Sequence, residues 1–250
     1  MRSLEGMVAW VTGAGTGMGR ESAIKLAEAG CKLVLTGRRQ TPLDEVAAVI
    51  TNAGGEAAVE TGDASDRPSM FAIAKRIEGR HGRIDILFNN HGINLTPRSW
   101  AEAEFDGWDE LIDVNVKGAY NCAGAVLPIM RKQADGLIMT TSSLAGRFYS
   151  SVAGPAYGAS KHAVMALNDT LNQEEGNNGI RACALCPGEV ATPILDQRPV
   201  TVPQDDVDRL VQSEDIGDLV VFVAQLDPRA CVTEIVVRPT HRRTKQPGER

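Results

Sequence analysis

Seven short, nearly unbroken apolar runs, at 7–11, 32–36, 57–61, 84–88, 137–141, 180–185 and 231–237, constrain this chain more than any other feature. Runs of this length without polar alternation predict strands covered on both faces. Between them lie longer stretches with helical spacing: one carrying Ala23, Leu26 and Ala27, then 41–53, 67–81, 102–112, 114–131, 156–174 and 215–225. Strands alternating with helices of this length imply right-handed crossovers and a parallel sheet. In such sheets ligands bind beyond the carboxyl ends of the strands. The polar and glycine signals fall at those ends: Gly13 to Gly19, Gly37 to Arg39, Asp63, Asn89 to Gly92, Ser142 with Ser143, and Pro187 with Gly188.

The first strand end is the most informative. Thr12 to Gly19 reads TGAGTGMG and leads straight into a helix. The spacing GxGxxG fails, because Met18 and Arg20 fall where its last glycine should be. The spacing TGxxxGxG fits, with Thr12, Gly13, Gly17 and Gly19. Glycines there permit a tight turn and a close backbone approach to a pyrophosphate, which the N–H groups and dipole of the helix N-terminus favour. The expected fold class is α/β: a single Rossmann-type doubly wound domain over residues 1–240, with a mainly parallel, about seven-stranded sheet flanked by helices.

Composition narrows the partners. At 250 residues the chain can bury a sizeable core, and no Pro- or Ser-rich linker or repeat divides it. A net charge of −6 argues against nucleic acid, despite the basic tail over 241–250 with Arg242, Arg243, Lys245 and Arg250. Glu5 and Gly6 interrupt any secretory apolar stretch, and no run approaches the ~20 residues of a membrane span. The odd number of scattered cysteines, Cys31, Cys122, Cys183, Cys186 and Cys231, suits a reducing cytoplasm. Cys183 and Cys186 spell CxxC, but on a strand they face opposite ways, and no second pair or histidine completes a metal site.

Chemistry centres on Tyr157 and Lys161, one helical turn apart. A free phenol titrates near ~10, and a neighbouring cation can lower it by about 1–3 units, enough for acid–base work. The same pair also reads as an ordinary surface couple. Ser143, at the end of the fifth strand, could donate to a carbonyl oxygen. Asn115, in DVNVKG, is either a solvent-facing residue or a polar group that bends its helix.

TGAGTGMG, Asp63, NNHG, Asn115, Ser143 with Tyr157-x-x-x-Lys161, and PGEVATP together resemble the short-chain dehydrogenase/reductase family from about Met7 to Thr240. The resemblance implies an oxidoreductase moving a hydride between nicotinamide and a small ketone, aldehyde or secondary alcohol. It makes Tyr157 the general acid/base and gives Lys161 two tasks, lowering the phenol's pKa and binding the nicotinamide ribose. It makes Ser143 the carbonyl-polarising hydroxyl and Asn115 the anchor of a water relay. Ser143 is preferred to Ser142 because the family's Ser-x-x-Gly becomes Ser143-Leu144-Ala145-Gly146. Implied cofactor contacts are Gly13, Thr16, Gly17, Met18, Gly19, Gly37, Arg38, Asp63, Ala64, Asn90, Gly92, Tyr157, Lys161, Pro187, Gly188, Val190 and Thr192. Asp63 and Ala64 would meet the adenine, and Thr192 the carboxamide. Two departures are His91, where the family usually has alanine, and the ending VTEIVVRPTHRR in place of VDGG. His91 is expected to pack by the cofactor rather than to catalyse.

The second strand ends on Gly37 and Arg38, where NAD-preferring relatives carry an acidic residue. Glycine leaves room for a 2′-phosphate and arginine can grip it, so NADP(H) is expected over NAD(H). A lid over 193–210 with Pro193, Pro199 and Pro203 suggests a compact substrate. Leu144, Phe148, Tyr149, Val152, Ile194 and Leu195 suggest a partly apolar pocket, with Glu189 and Arg147 as charged contacts or solvent-facing residues. An acidic NQEEGNN segment disfavours acyl groups on an acidic carrier protein. The alternatives are an NAD-dependent alcohol dehydrogenase of the same family and a non-catalytic NADP-binding sensor. A homodimer or homotetramer is expected through the helices of 114–131 and 156–174.

Overall fold

The computed structural model describes residues 1–149, 152–197 and 200–241. The chain runs β1 (Val8–Thr12), α1 (Gly17–Glu28), β2 (Lys32–Thr36), α2 (Gln40–Asn52), β3 (Glu56–Val59), α3 (Arg67–His81) and β4 (Ile86–Asn89). It continues with α4 (Phe105–Ile112), α5 (Gly118–Gln133), β5 (Gly136–Thr141), α6 (Pro155–Glu175), β6 (Ile180–Pro187) and β7 (Val190–Ala191). The last elements are α7 (Gln204–Val207), β8 (Val211–Gln212), α8 (Ser213–Gln225) and β9 (Glu234–Val237). Seven strands form one wholly parallel sheet in the order β3-β2-β1-β4-β5-β6-β9. The order reverses between β1 and β4, so the crevice of this doubly wound sheet opens above those two strands.

Strand residues alternate between two apolar layers. Ala9 and Val11 face a cluster with Ala23 and Leu26 of α1, Leu43 and Val46 of α2, and Ile216 and Val220 of α8. Val8 and Trp10 face the other, with Met70 and Ile73 of α3 and Val126 and Ile129 of α5. Both layers exclude water, which is why the strands read as unbroken apolar runs. The buried Trp10 indole N–H is satisfied by the Thr36 hydroxyl at 2.9 Å.

Several boundaries differ from the sequence expectation. The fourth strand starts at Ile86 rather than 84, because the Gln133 side-chain amide takes both backbone groups of Ile84. The last strand begins at Glu234 rather than 231, since its ladder with β6 starts at Ala184. Cys231 is exposed, unlike the other four thiols, and all five cysteines are free. The helix expected over 102–112 is a short 3₁₀ turn, Trp100–Glu102, followed by α4. Between α4 and α5 the chain makes a π-helical turn, Asp113–Lys117, centred on Asn115. The segment 193–210 holds a 3₁₀ turn (Pro193–Gln197) and α7, clipped at its base by β7 pairing with β8. Pro199 and tail residues 242–250 lie outside the described residues. No described helix is long and apolar enough to cross a membrane.

Candidate active site

The turn between β1 and α1 is shaped by close backbone packing. Gly13 has φ +60, and a Cβ there would lie 3.0 Å from the backbone N and Cα of His91. At Gly19, a Cβ would run into the Gly13 carbonyl and the Asn90 side-chain amide. Only hydrogen at these positions lets the ends of β1 and β4 and the first turn of α1 converge. That first turn carries no acidic residue and no side-chain cap, so its N–H groups and dipole favour an anion. Asn90 ties the arrangement together: its amide donates to the Gly13 carbonyl at 3.4 Å and its Oδ1 accepts from the Thr141 hydroxyl at 3.0 Å.

Beside this turn is a hollow of about 160 Å³. Gly13, Thr16, Gly37, Arg38, Asp63, Ala64 and Gly92, all expected from sequence, line it. His91, expected to pack by the cofactor, lines it as well, and so does Arg39, outside the implied cofactor contacts. The exposed Arg38 guanidinium lies 3.9 Å from the Glu110 carboxylate of α4. Burial acts to raise the pKa of Asp63, but bonds from the Ser65 hydroxyl (2.7 Å) and N–H (2.9 Å), with the Arg38 charge, hold it below its ordinary value. His91 is fastened by its Nδ1 to the Thr12 hydroxyl at 2.7 Å. Burial, with the Lys161 charge, pushes its pKa down to about 4, so the ring is neutral.

A second, larger cavity of about 730 Å³ adjoins the first: Thr16 lines one and Met18 the other, as do Ile93 and Asn94. Met18, Pro187, Gly188, Val190 and Thr192 line it, as do all six apolar residues expected from sequence. Gly17 lies beneath, where a Cβ would meet the Thr192 methyl at 3.1 Å. Ser143 and Tyr157 are both on the cavity wall, and the Ser143 hydroxyl acts to lower the pKa of the phenol. Ser142 also lines the cavity, yet its hydroxyl is committed to the Lys161 carbonyl at 3.0 Å. Glu189 lines the cavity, whereas Arg147 points to Glu234 of β9, 2.9 Å away, and is absent from the lining.

Lys161 and Asn115 sit behind the wall. A Cβ on Gly92 would lie 3.3 Å from Asn115 Oδ1 and 3.5 Å from Lys161 Nζ, which places the two groups together. Asn115 accepts from the Ile93 N–H (2.8 Å) and donates to the Ile93 carbonyl (3.0 Å) and the Ser160 hydroxyl (3.1 Å). The Ser160 hydroxyl in turn donates to the Tyr157 carbonyl at 2.8 Å. Asn115 thus pins the segment after β4 to the helix bearing Tyr157. The π-helical turn supplies the extra residue that points its amide inward.

Burial raises the Tyr157 pKa above its ordinary value, and the groups drawing it back are Ser143 and the Arg98 charge. The Lys161 Nζ lies over the ring face, 5.4 Å from the centroid, and donates to the Thr141 carbonyl at 2.7 Å. Burial lowers Lys161 itself to about 8. Among the ionisable lining residues, Arg98, from a loop, carries no sequence signal, and Arg238 and His241 stand out only as part of the divergent ending. Isolated arginines and histidines in loops have no spacing to betray them.

A doubly wound sheet with an anion cradle at its switch point, and hydroxyls of serine and tyrosine in an adjoining cavity, defines a dinucleotide-binding oxidoreductase class. The family model described as short chain dehydrogenase matches residues 7–201. An uncharacterized oxidoreductase of Staphylococcus saprophyticus is 34% identical over 96% of this chain and 100% of its own length. One from Listeria innocua is 32% identical, covering 95% and 98%. Among solved structures, a metagenomic short-chain oxidoreductase in complex with NADP has a TM-score of 0.83 at 32% identity, covering 96% of this chain and all of its own. An alcohol dehydrogenase from Thermococcus sibiricus complexed with 5-hydroxy-NADP scores 0.85 at 27% identity, covering 97% and 100%. Levodione reductase scores 0.86 at 27% identity, covering 95% and 96%. The chain belongs to the short-chain dehydrogenase family.

Proposed function

We propose that the protein is an NADP(H)-dependent oxidoreductase that interconverts a compact ketone or aldehyde with its alcohol, using Tyr157 as general acid/base. The Ser143 and Tyr157 hydroxyls, both on the wall of a cavity next to the nucleotide hollow, carry this reading. The residues present suit the cofactor: the Gly13–Gly19 cradle admits a pyrophosphate, and Gly37 with Arg38 and Arg39 suits a 2′-phosphate better than a bare ribose. Two NADP-type complexes among the structural relatives agree with that preference.

The bound nicotinamide supplies the hydride in reduction and accepts it in oxidation. Ser143 donates to the carbonyl oxygen, and Tyr157 transfers its hydroxyl proton there as negative charge develops. The buried phenol enters protonated at neutral pH, which favours reduction. In this reading Lys161 meets the nicotinamide ribose, Asp63 and Ala64 the adenine, and Thr192 the carboxamide. Asn115 holds the segment through which a water relay would refill the proton.

Tyr157→Phe, assayed with NADPH and NADH against a panel of ketones and aldehydes, tests the reading. Loss of about 10²-fold or more in kcat with retained NADPH binding is expected. Full activity would rule out the phenol as proton donor.

A homodimer or homotetramer would use α5 and α6, where Tyr120, Ala159 and Ala166 face outward. Sedimentation velocity tests it, and a monomer would refute it. Free cysteines throughout accord with a cytoplasmic location.

A further inference from the structure

The proposed chemistry uses the Tyr157 side of the larger cavity and leaves its C-terminal wall unexplained. That wall is built by Arg238, Pro239 and His241, the residues directly after β9. They belong to the ending VVRPTHRR, in which this sequence departs from the VDGG of the family it resembles. The guanidinium of Arg238 lies over the Phe148 ring, 5.6 Å from its centroid. A guanidinium over a ring face still has its N–H donors free for an acceptor.

Arg238 has no carboxylate partner among the described residues. The nearest acid along the strand, Glu234, is bonded to Arg147 at 2.9 Å. The described lining of the cavity carries two arginines, Arg98 and Arg238, against one carboxylate, Glu189. The remaining wall is largely apolar, with Leu144, Val152, Ile194 and Leu195. An apolar cavity with proton-donating hydroxyls at one end and an oriented guanidinium on another wall suits a short molecule with a carbonyl and an anion.

We propose that Arg238 is a specificity-determining residue that binds a carboxylate on the substrate, making the substrate class short oxo acids and their hydroxy acids. The assignment rests on the oxidoreductase reading above. A carboxylate matches the flat fork of a guanidinium through two parallel hydrogen bonds, which a neutral ketone cannot supply.

The test compares oxo acids having one, two or three carbons between carbonyl and carboxylate with their methyl esters, in the NADPH-loaded enzyme. The native protein is expected to prefer at least one acid over its ester by about 10-fold or more in kcat/KM, mainly through KM. Arg238→Gln is expected to lower kcat/KM for that acid by about 10- to 100-fold while the ester changes much less. Arg238→Lys should recover part of the loss. Calorimetric titration of the NADP-loaded protein with the matching hydroxy acid supplies a readout apart from turnover, and Arg238→Gln should weaken it. Turnover of esters and acids alike, or equal losses for both in Arg238→Gln, overturns this assignment while leaving the oxidoreductase reading intact. Tighter binding of the corresponding phosphonate than of the carboxylate also overturns it. Absence of all turnover alongside intact, Arg238-dependent binding of the hydroxy acid would instead count against the oxidoreductase reading alone.

Discussion

The Lys161 ammonium lies over the face of the Tyr157 ring, 5.4 Å from its centroid, and donates to the Thr141 carbonyl at 2.7 Å. The two side chains are one helical turn apart, and the cation lies over the ring face. Its position is costly, since burial drops its pKa from 10.5 to about 8. Between those values the unfolded chain binds the extra proton, so this group makes stability rise with pH across that window. At lower pH the buried charge costs about 3 kcal/mol.

Lys161→Met should therefore abolish activity yet resist urea better than the native protein at pH 7. The gain is expected to be about 1–2 kcal/mol once the lost bond to Thr141 is counted. That advantage should shrink as pH rises from 8 toward 10.5. Equal urea midpoints at pH 7, or a difference independent of pH, would contradict the account.

His91 gives the opposite end of the pH scale. Its folded pKa of about 4 lies below the ordinary 6.5, so protonation favours the unfolded chain. Stability from the neutral ring is intact above pH 6.5 and is lost as pH falls toward 4, by about 3 kcal/mol. Urea unfolding of His91→Ala should show a flatter profile over that range. An unchanged slope would mean that the ring is not held neutral by its burial beside Lys161.

Ser142 and Ser143 are neighbours with separable effects. Ser143→Ala removes the hydroxyl that shares the cavity wall with the phenol and should cut kcat by about 10²-fold with little change in stability. Ser142→Ala removes a second donor to the Lys161 carbonyl, which its helix already satisfies, and should cost about 1 kcal/mol while sparing most activity. Thermal unfolding and steady-state kinetics on the two variants would reveal any exchange of roles.

Arg38→Ala should weaken NADP(H) binding by about 10-fold or more and leave NAD(H) nearly untouched. Glu110→Gln should tighten NADP(H) modestly, because it removes the carboxylate 3.9 Å from that guanidinium. Titration of both cofactors by fluorescence measures each effect. Parallel changes for the two cofactors would remove Arg38 from 2′-phosphate recognition.

The chain's local signals were enough for the sheet, the crossovers and the anion cradle. Apolar runs mark strands that both layers bury, and Gly13 and Gly19 mark places where two backbones meet. Tyr157 and Lys161 were legible for the same reason, since helical spacing is a local property. What spacing could not supply was direction. Only the packed structure puts Ser143 toward the phenol and Ser142 toward a carbonyl, and turns Lys161 onto the ring face. It alone turns Arg147 away to Glu234 and brings Arg98 and Arg238, far apart in sequence, to one cavity. Local sequence fixes backbone dihedrals and periodicity. The surroundings of a side chain, and therefore its charge and reactivity, depend on residues that only the folded chain brings near.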